Sequence, residues 1–375
     1  MRIGGRWISK KLLFLLVPAV LLLVGGGSAF AAVMFTDIEG NTHEDSIIEM
    51  ANRGITQGYP DGTFRPDEPV SRAQMMTFLD RYTSGMGCTD CHDDSSTITG
   101  VEFAWSETRK GEGEAAVYAG GRSGCSGCHS GGGFHDRMMA GETNPDDFTM
   151  TYANPSRVDC RACHEIHETY TGADWALETT AAVPLYAFNG ETFDAGEGNL
   201  CANCHQPRRD FPEAQDGMIT GISEHWGPHH GPQAAMLMGL AGIVEGSPGS
   251  HYNLIGDSCV SCHMGEGSSH SFAPSTDACT SCHGEVDDFD VNGFQTQVEE
   301  RLDAIGDVLV AAGALTENTP EGHPTEDVQD NGLEEDTAGA LWIWLYLAHE
   351  DKSLGVHNPN YAKAMLTYAE DVLGL

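Results

Sequence analysis

Twelve cysteines in this 375-residue chain fall into six Cys-x-x-Cys-His motifs, with none left over. The motifs are Cys88–Cys91–His92, Cys125–Cys128–His129, Cys160–Cys163–His164, Cys201–Cys204–His205, Cys259–Cys262–His263 and Cys279–Cys282–His283. This spacing suits one reaction. Two thiols add across the two vinyl groups of one haem, and the histidine that follows is set under the iron as its proximal ligand. The expectation is six covalently bound c-type haems.

Zinc ribbons and redox motifs also use Cys-x-x-Cys. Neither a zinc site nor a disulfide framework needs a histidine directly after the second cysteine, six times over. The motif starts are 37, 35, 41, 58 and 20 residues apart, so they define no strict repeat, and the last two are closest. Residues 88–283 hold all six motifs, near 33 residues each. That is too little chain per haem for an ordinary hydrophobic core. The porphyrins are expected to form the core, wrapped by short helices and loops. Abundant glycine, as in 111–133, suits close approach of backbone to flat cofactors.

Of 17 histidines, six belong to the motifs and one, His43, lies far upstream. The ten that remain exceed the six distal positions, so every iron can take a second histidine. Iron with two histidines is coordinatively saturated and changes oxidation state with little rearrangement, which favours electron transfer over substrate binding. The distal candidates are His135, His167, His251, His270 and His357. The segment Ser223–Gln233 adds His225, His229 and His230, with His229 or His230 preferred. His323 and His349 read as structural.

The chain opens on a basic stretch (Arg2, Arg6, Lys10, Lys11), an apolar run from Leu12 to Val24 and an A-x-A site at Ala29–Ala31. This reads as a signal peptide over 1–31. The net charge is −37, and loss of the four leader cations takes it to −41. Such a surface repels nucleic acid and anionic lipid, so no nucleic-acid partner is expected.

Residues 32–84 read as a separate segment. Phe35-Thr-Asp37 opens it and a short helix is expected from Ser46 to Arg53. A tight loop follows, Gly54-Ile-Thr-Gln-Gly58-Tyr-Pro-Asp-Gly62-Thr-Phe64-Arg-Pro66. Ser71-Arg72-Ala73-Gln74 then starts a second helix whose apolar face is Met75, Met76, Phe78, Leu79 and Tyr82. These residues resemble an S-layer homology motif. The resemblance implies binding to cell-wall polysaccharide, with Arg72 on an anionic group of the polymer. Family members usually carry three copies, whereas one is found here.

Residues 85–290 read as the hexahaem region and 291–375 as a helical region completing it. Val298, Leu302, Ile305 and Leu309 follow a helical period, and Ala338–His349 is apolar on all sides, as in a buried helix. A last helix is expected from Tyr361 to Leu373. The tracts Trp226–Gln233, His270-Ser-Phe-Ala-Pro274 and His357-Asn-Pro-Asn-Tyr361 are similar to multihaem cytochromes of the cytochrome c-552 group over roughly the second half of the chain. That likeness implies that His357 returns to a haem attached much earlier. It also raises an enzymatic alternative, a reductase or oxidase of a small nitrogen or sulfur compound. Ammonia-forming nitrite reductases of that group often replace one motif histidine by lysine, and all six motifs here end in histidine.

The expected fold class is mainly α with much irregular loop. It combines a haem-packed multihaem core, a small helical N-terminal segment and a helical C-terminal region. The expected function is an exported electron carrier at the cell envelope or outside the cell, with no catalytic residue. Its expected partners are redox proteins or an extracellular electron acceptor, wall polysaccharide, and further copies of itself in an oligomer or filament.

Overall fold

The computed structural model describes residues 35–375 apart from 53, 54, 57, 60, 86–96, 170, 171, 230 and 266–268. The leader at 1–31, the first motif (Cys88, Cys91, His92) and His230 therefore lie outside the described residues. By its internal contacts the chain forms two units, residues 1–91 and residues 92–375.

The first unit holds helix α1 (Glu44–Asn52) and helix α2 (Arg72–Gly85). Asp37 explains the Phe-x-Asp opening. Its two carboxylate oxygens accept the Phe64 and Arg65 amides, each at 2.7 Å, so the opening holds the far end of the loop. Phe35 and Phe64 meet at 5.3 Å and close a small core with Ile38, Ile47 and Ala51. Ser71 and Gln74 form a reciprocal cap at the start of α2. The Gln74 amide donates to Ser71 Oγ at 3.2 Å and the Ser71 amide to Gln74 Oε1 at 2.9 Å. The expected apolar face of α2 does not join this core: Met75, Met76 and Leu79 are exposed, Met76 at 64%. That core is closed instead by Phe35 of the opening and Phe64 of the loop.

The second unit is helix and loop with two minimal antiparallel ladders. Strand β1 (Val183–Pro184) pairs with β2 (Thr192–Phe193), and β3 (Met218–Ile219) with β4 (Leu333–Glu334). The motif-bearing stretch uses short helices, among them α3 (Gly131–Met139). Its apolar side chains are often exposed, as Phe103, Val117, Tyr118, Met139 and Leu254 show. No helix among the described residues is long and apolar enough to cross a membrane.

The main core is C-terminal. Helices α4 (Phe294–Ala311), α5 (Glu335–Trp344) and α6 (Pro359–Leu373) pack together. Val298, Leu302, Ile305 and Leu309 face inward from α4. The all-apolar stretch of α5 is buried all round because a fourth side exists. Ile219, Trp226, Met236 and Ala241, from between the fourth and fifth motifs, pack against it. Trp342 meets Trp226 edge-on at 5.1 Å and donates its indole N–H to Ala241 O at 2.9 Å. Gly339 permits the approach of α5 to its neighbours, since a Cβ there would come within 2.3 Å of Ile243 Cδ1 and 3.0 Å of the Tyr368 hydroxyl. Arg301 on α4 clasps Glu370 on α6 through two 2.6 Å bonds.

Beyond Trp344 the helix does not stop. It widens into a π-helical turn over Leu345–Asp351, then reverses at Lys352 with positive φ. Asn358 caps α6 through its side chain, with Pro359 at the first helical position. The wide turn and the cap bracket the loop that carries His357.

Ile305 is fully buried between these helices. Ile305→Ala is expected to cost about 2–5 kcal/mol, read as a lower denaturation midpoint. Glu299→Ala, on the exposed side of α4, is expected to stay within about 0.5 kcal/mol.

Candidate functional site: paired histidines and the N-terminal segment

Five of the six motifs are described, and each sits on a tight helical turn. Examples are Ser126–His129, Cys259–His263 and Thr280–His283. The turn puts both cysteines and the histidine on one side, as one planar cofactor would require. No disulfide joins the described cysteines.

Four motif histidines face a second histidine from elsewhere in the chain. His129 lies 6.3 Å from His229, His164 6.1 Å from His270, His263 6.4 Å from His357, and His283 6.3 Å from His251, between ring centres. The spacing is informative. A metal–imidazole bond is ~2 Å and a ring nitrogen lies ~1.1 Å from its ring centre, so one iron held by two imidazoles sets the ring centres ~6.3 Å apart. The four pairs fit that group. No cluster of three or more His, Cys, Asp or Glu suited to a metal ion occurs among the described residues. The histidines come in twos, which is the axial demand of a haem and half the ligand demand of structural zinc.

The rings are also turned the right way. A ligating imidazole is neutral and commonly donates its other N–H to a fixed acceptor. Nδ1 of His164 donates to Trp175 O at 2.8 Å, that of His251 to Val356 O at 2.6 Å, and that of His263 to Phe272 O at 2.9 Å. His357 Nδ1 meets Asp351 Oδ1 at 2.6 Å, and His135 Nδ1 meets Glu178 Oε1 at 2.9 Å. Each of these bonds leaves Nε2 available. Asp351 is buried, and it stands there because the π-turn ends on it. Burial disfavours protonated His357, but the Asp351 carboxylate outweighs burial and raises its pKa.

Gln233 joins the fourth motif to this turn. Its Oε1 lies 3.1 Å from His205 Nδ1, while its Nε2 donates to Glu350 O and Asp351 O at 3.0 and 3.2 Å. The imidazoles of His205 and His357 are thus held by one stretch of backbone. Burial, then the charge of Lys110, brings the His205 pKa down to about 4, so its ring is neutral. Among the described residues, no second histidine ring faces His205.

The other histidines divide clearly. His225 is 77% exposed along its side chain, beside Glu224. His349 turns its Nε2 toward Thr319 O at 3.5 Å and packs on Trp344. His323 bonds Pro324 O at 3.1 Å. The His167 amide donates to Asp174, with positive φ at His167. The pairings do not follow proximity in the chain. His251 precedes the fifth motif but faces the sixth, and His270 precedes the sixth but faces the third.

The motifs themselves adjoin in space. Cys128 lies beside Cys204, and Cys201 beside Cys259. Cys163 and Cys204 share one apolar cluster with Leu200 and Phe134. A Cβ on Gly198 would come within 3.4 Å of Cys259 Sγ, so glycine lets the fourth and fifth motifs meet. The fourth motif thus adjoins the second, third and fifth.

In the first unit Arg72 is exposed at the start of α2. The neighbouring loop is held by Asp61, which accepts from the Thr63 hydroxyl at 2.6 Å and from Arg65 Nη2 at 2.8 Å. Arg65 in turn stacks over Tyr59 at 4.0 Å.

Residues 35–76 match the S-layer homology domain. A domain of this kind marks a protein of the cell surface or envelope, and such domains typically bind cell-wall polysaccharide. No curated protein and no solved structure matches the chain, so the resemblance to the c-552 group finds no counterpart in these comparisons.

Sequence reasoning missed the residues that orient the rings: Asp351, Glu178 and Gln233. An acid or amide near a histidine in space leaves no mark in sequence when it lies 28 or 43 positions away, as Gln233 and Glu178 do. Asp351, six residues before His357, was the one within reach of a local search.

Hydrogen bonds from the Thr63 hydroxyl and Arg65 pull the Asp61 pKa down from 3.8 to about 2. A depressed carboxylate contributes stability that is present above 3.8 and lost as pH falls through about 2. Hydrogen-exchange protection of the Thr63 amide, corrected for intrinsic rate, is expected to fall across that window. Asp61→Asn is expected to abolish the step.

Proposed function

We propose that this chain is an exported hexahaem c-type cytochrome that carries electrons along neighbouring haems at the cell envelope. Its S-layer homology domain holds it to wall polysaccharide. The observation that carries the reading is the ring-centre spacing of 6.1–6.4 Å in four pairs, each made of one motif histidine and one distant histidine. The six Cys-x-x-Cys-His motifs supply the covalent tethers. When bound, haem supplies one-electron iron chemistry.

The protein's own residues then do three things. The cysteines fix the position of each porphyrin. The paired histidines would ligate the iron and leave little to move when the oxidation state changes. Asp351, Glu178, Gln233 and the backbone carbonyls hold the rings against rotation and keep Nε2 as the ligating atom. The closeness of the fourth motif to the second, third and fifth supports a connected route for electrons. The donor and acceptor are one-electron redox partners, a second protein or an extracellular acceptor. A run of such chains in an oligomer or filament would extend the route.

A second reading is favoured by His205. It is the one described motif histidine that no described histidine ring faces, and its side-chain partner is Gln233. An open position there would take a small nitrogen or sulfur compound, making the protein a reductase or oxidase.

The purified protein is expected to hold six haems and six irons per chain, with colour that stays on the chain after denaturation. Zinc in place of iron, or a colourless protein, would sink the proposal. In the oxidised protein, electron paramagnetic resonance is expected to show two kinds of low-spin iron. The rings of two pairs are nearly perpendicular, at 76° and 77°, and those of two others are inclined at 34°. Near-perpendicular rings leave two iron orbitals close in energy and broaden the signal. His357→Gly is expected to convert one low-spin iron to high-spin. A high-spin signal in the unaltered protein that responds to nitrite or hydroxylamine would favour the second reading.

Arg72→Ala is expected to weaken retention on isolated wall fragments by about tenfold or more, since a hydrogen bond to a charged group is worth ~1.5–3 kcal/mol. Unchanged retention would remove Arg72 from the wall contact.

A further inference from the structure

Among the fully buried side chains is one cation outside the histidine pairs. Arg137, on α3, has no solvent exposure. Its Nη2 donates to Asn203 O at 3.1 Å and to Asn203 Oδ1 at 3.3 Å, and Nη1 lies 3.6 Å from Cys128 Sγ. Its Nε is buried without a partner among the described residues. The Phe134 ring packs 5.2 Å from the guanidinium carbon. Asp146, which also lies near Cys128, is held by Arg208. Among the described residues no carboxylate is paired with Arg137, and a buried charge without a counter-charge is costly to fold around.

That position is specific. Cys128 belongs to the second motif and Asn203 stands between the two cysteines of the fourth. The guanidinium is therefore wedged where two attachment segments meet. The rest of the chain is strongly acidic, at −37 overall. A positive charge excluded from water is weakly screened and acts strongly over short range.

We propose that Arg137 is a fixed positive charge that raises the reduction potential of the haems attached at the second and fourth motifs, so that electrons dwell at this junction. The inference rests on the haem reading above. The physical cause is simple. Each iron takes one electron, from ferric to ferrous, and loses one unit of positive charge, which a neighbouring cation favours. The electron comes from an external one-electron donor, and no bond is made or broken at Arg137.

The test is a spectroelectrochemical titration of the full chain with redox mediators as electron source and sink. Arg137→Gln keeps a hydrogen-bond donor and removes the charge. It is expected to lower the midpoint of one or two of the six one-electron components by a tenfold shift in the ferric-to-ferrous ratio or more, 59 mV per tenfold for one electron. Arg137→Lys is expected to restore most of the shift. Asn203→Asp places a carboxylate against the guanidinium and is expected to lower the same components with Arg137 retained. That second variant serves if the first does not fold. A merely structural arginine would alter melting in the Gln and Lys variants alike and leave the potentials alone. Unchanged potentials in either folded variant overturn the proposal. A chain without haem speaks against the haem reading, whereas six haems with unmoved potentials speak against Arg137 alone.

Discussion

An imidazole has two nitrogens, and a hydrogen bond at one of them constrains the ring's orientation and so what the other can face. Much of the second unit is organised around that constraint. His164, His251 and His263 donate Nδ1 to backbone carbonyls, and His357 to a buried carboxylate. Three of these acceptors are backbone carbonyls, so those ring orientations follow the backbone conformation. His349 shows the opposite case. Its Nε2 is the engaged nitrogen, and it faces no motif histidine.

The C-terminal helices hold the stretch that carries Asp351 and Val356. The apolar helix Glu335–Trp344 is packed between α4, α6 and the 219–241 segment, and the π-turn after it ends on Asp351. The backbone of that turn also receives Gln233, which holds His205. The C-terminal core thus orients His357 from its own turn and His205 through Gln233. This division of labour accounts for a chain whose large hydrophobics are buried around 219–369 and often exposed between 97 and 290.

Several elements were legible in the sequence. The period of Val298, Leu302, Ile305 and Leu309 marks α4, and the uniformly apolar 338–347 marks a buried helix. The Gly-Tyr-Pro-Asp-Gly-Thr-Phe loop marks the N-terminal segment, which the family match at 35–76 supports. The exposed face of α2 was not legible, because apolar spacing says that a face exists but not what meets it. The histidine pairings were not legible either. His251 and His270 each lie nearer in sequence to a motif they do not face.

By itself, the sequence determined the chemistry on offer: six pairs of thiols each followed by a histidine, a surplus of further histidines, and an acidic chain. Covalent spacing is local, so three residues in five positions suffice to state it. The tertiary structure decided which imidazole faces which, which nitrogen each presents, and where the buried guanidinium of Arg137 comes to lie. Those choices depend on contacts between residues up to 100 or so positions apart, as between His129 and His229, and only packing of the whole unit sets them.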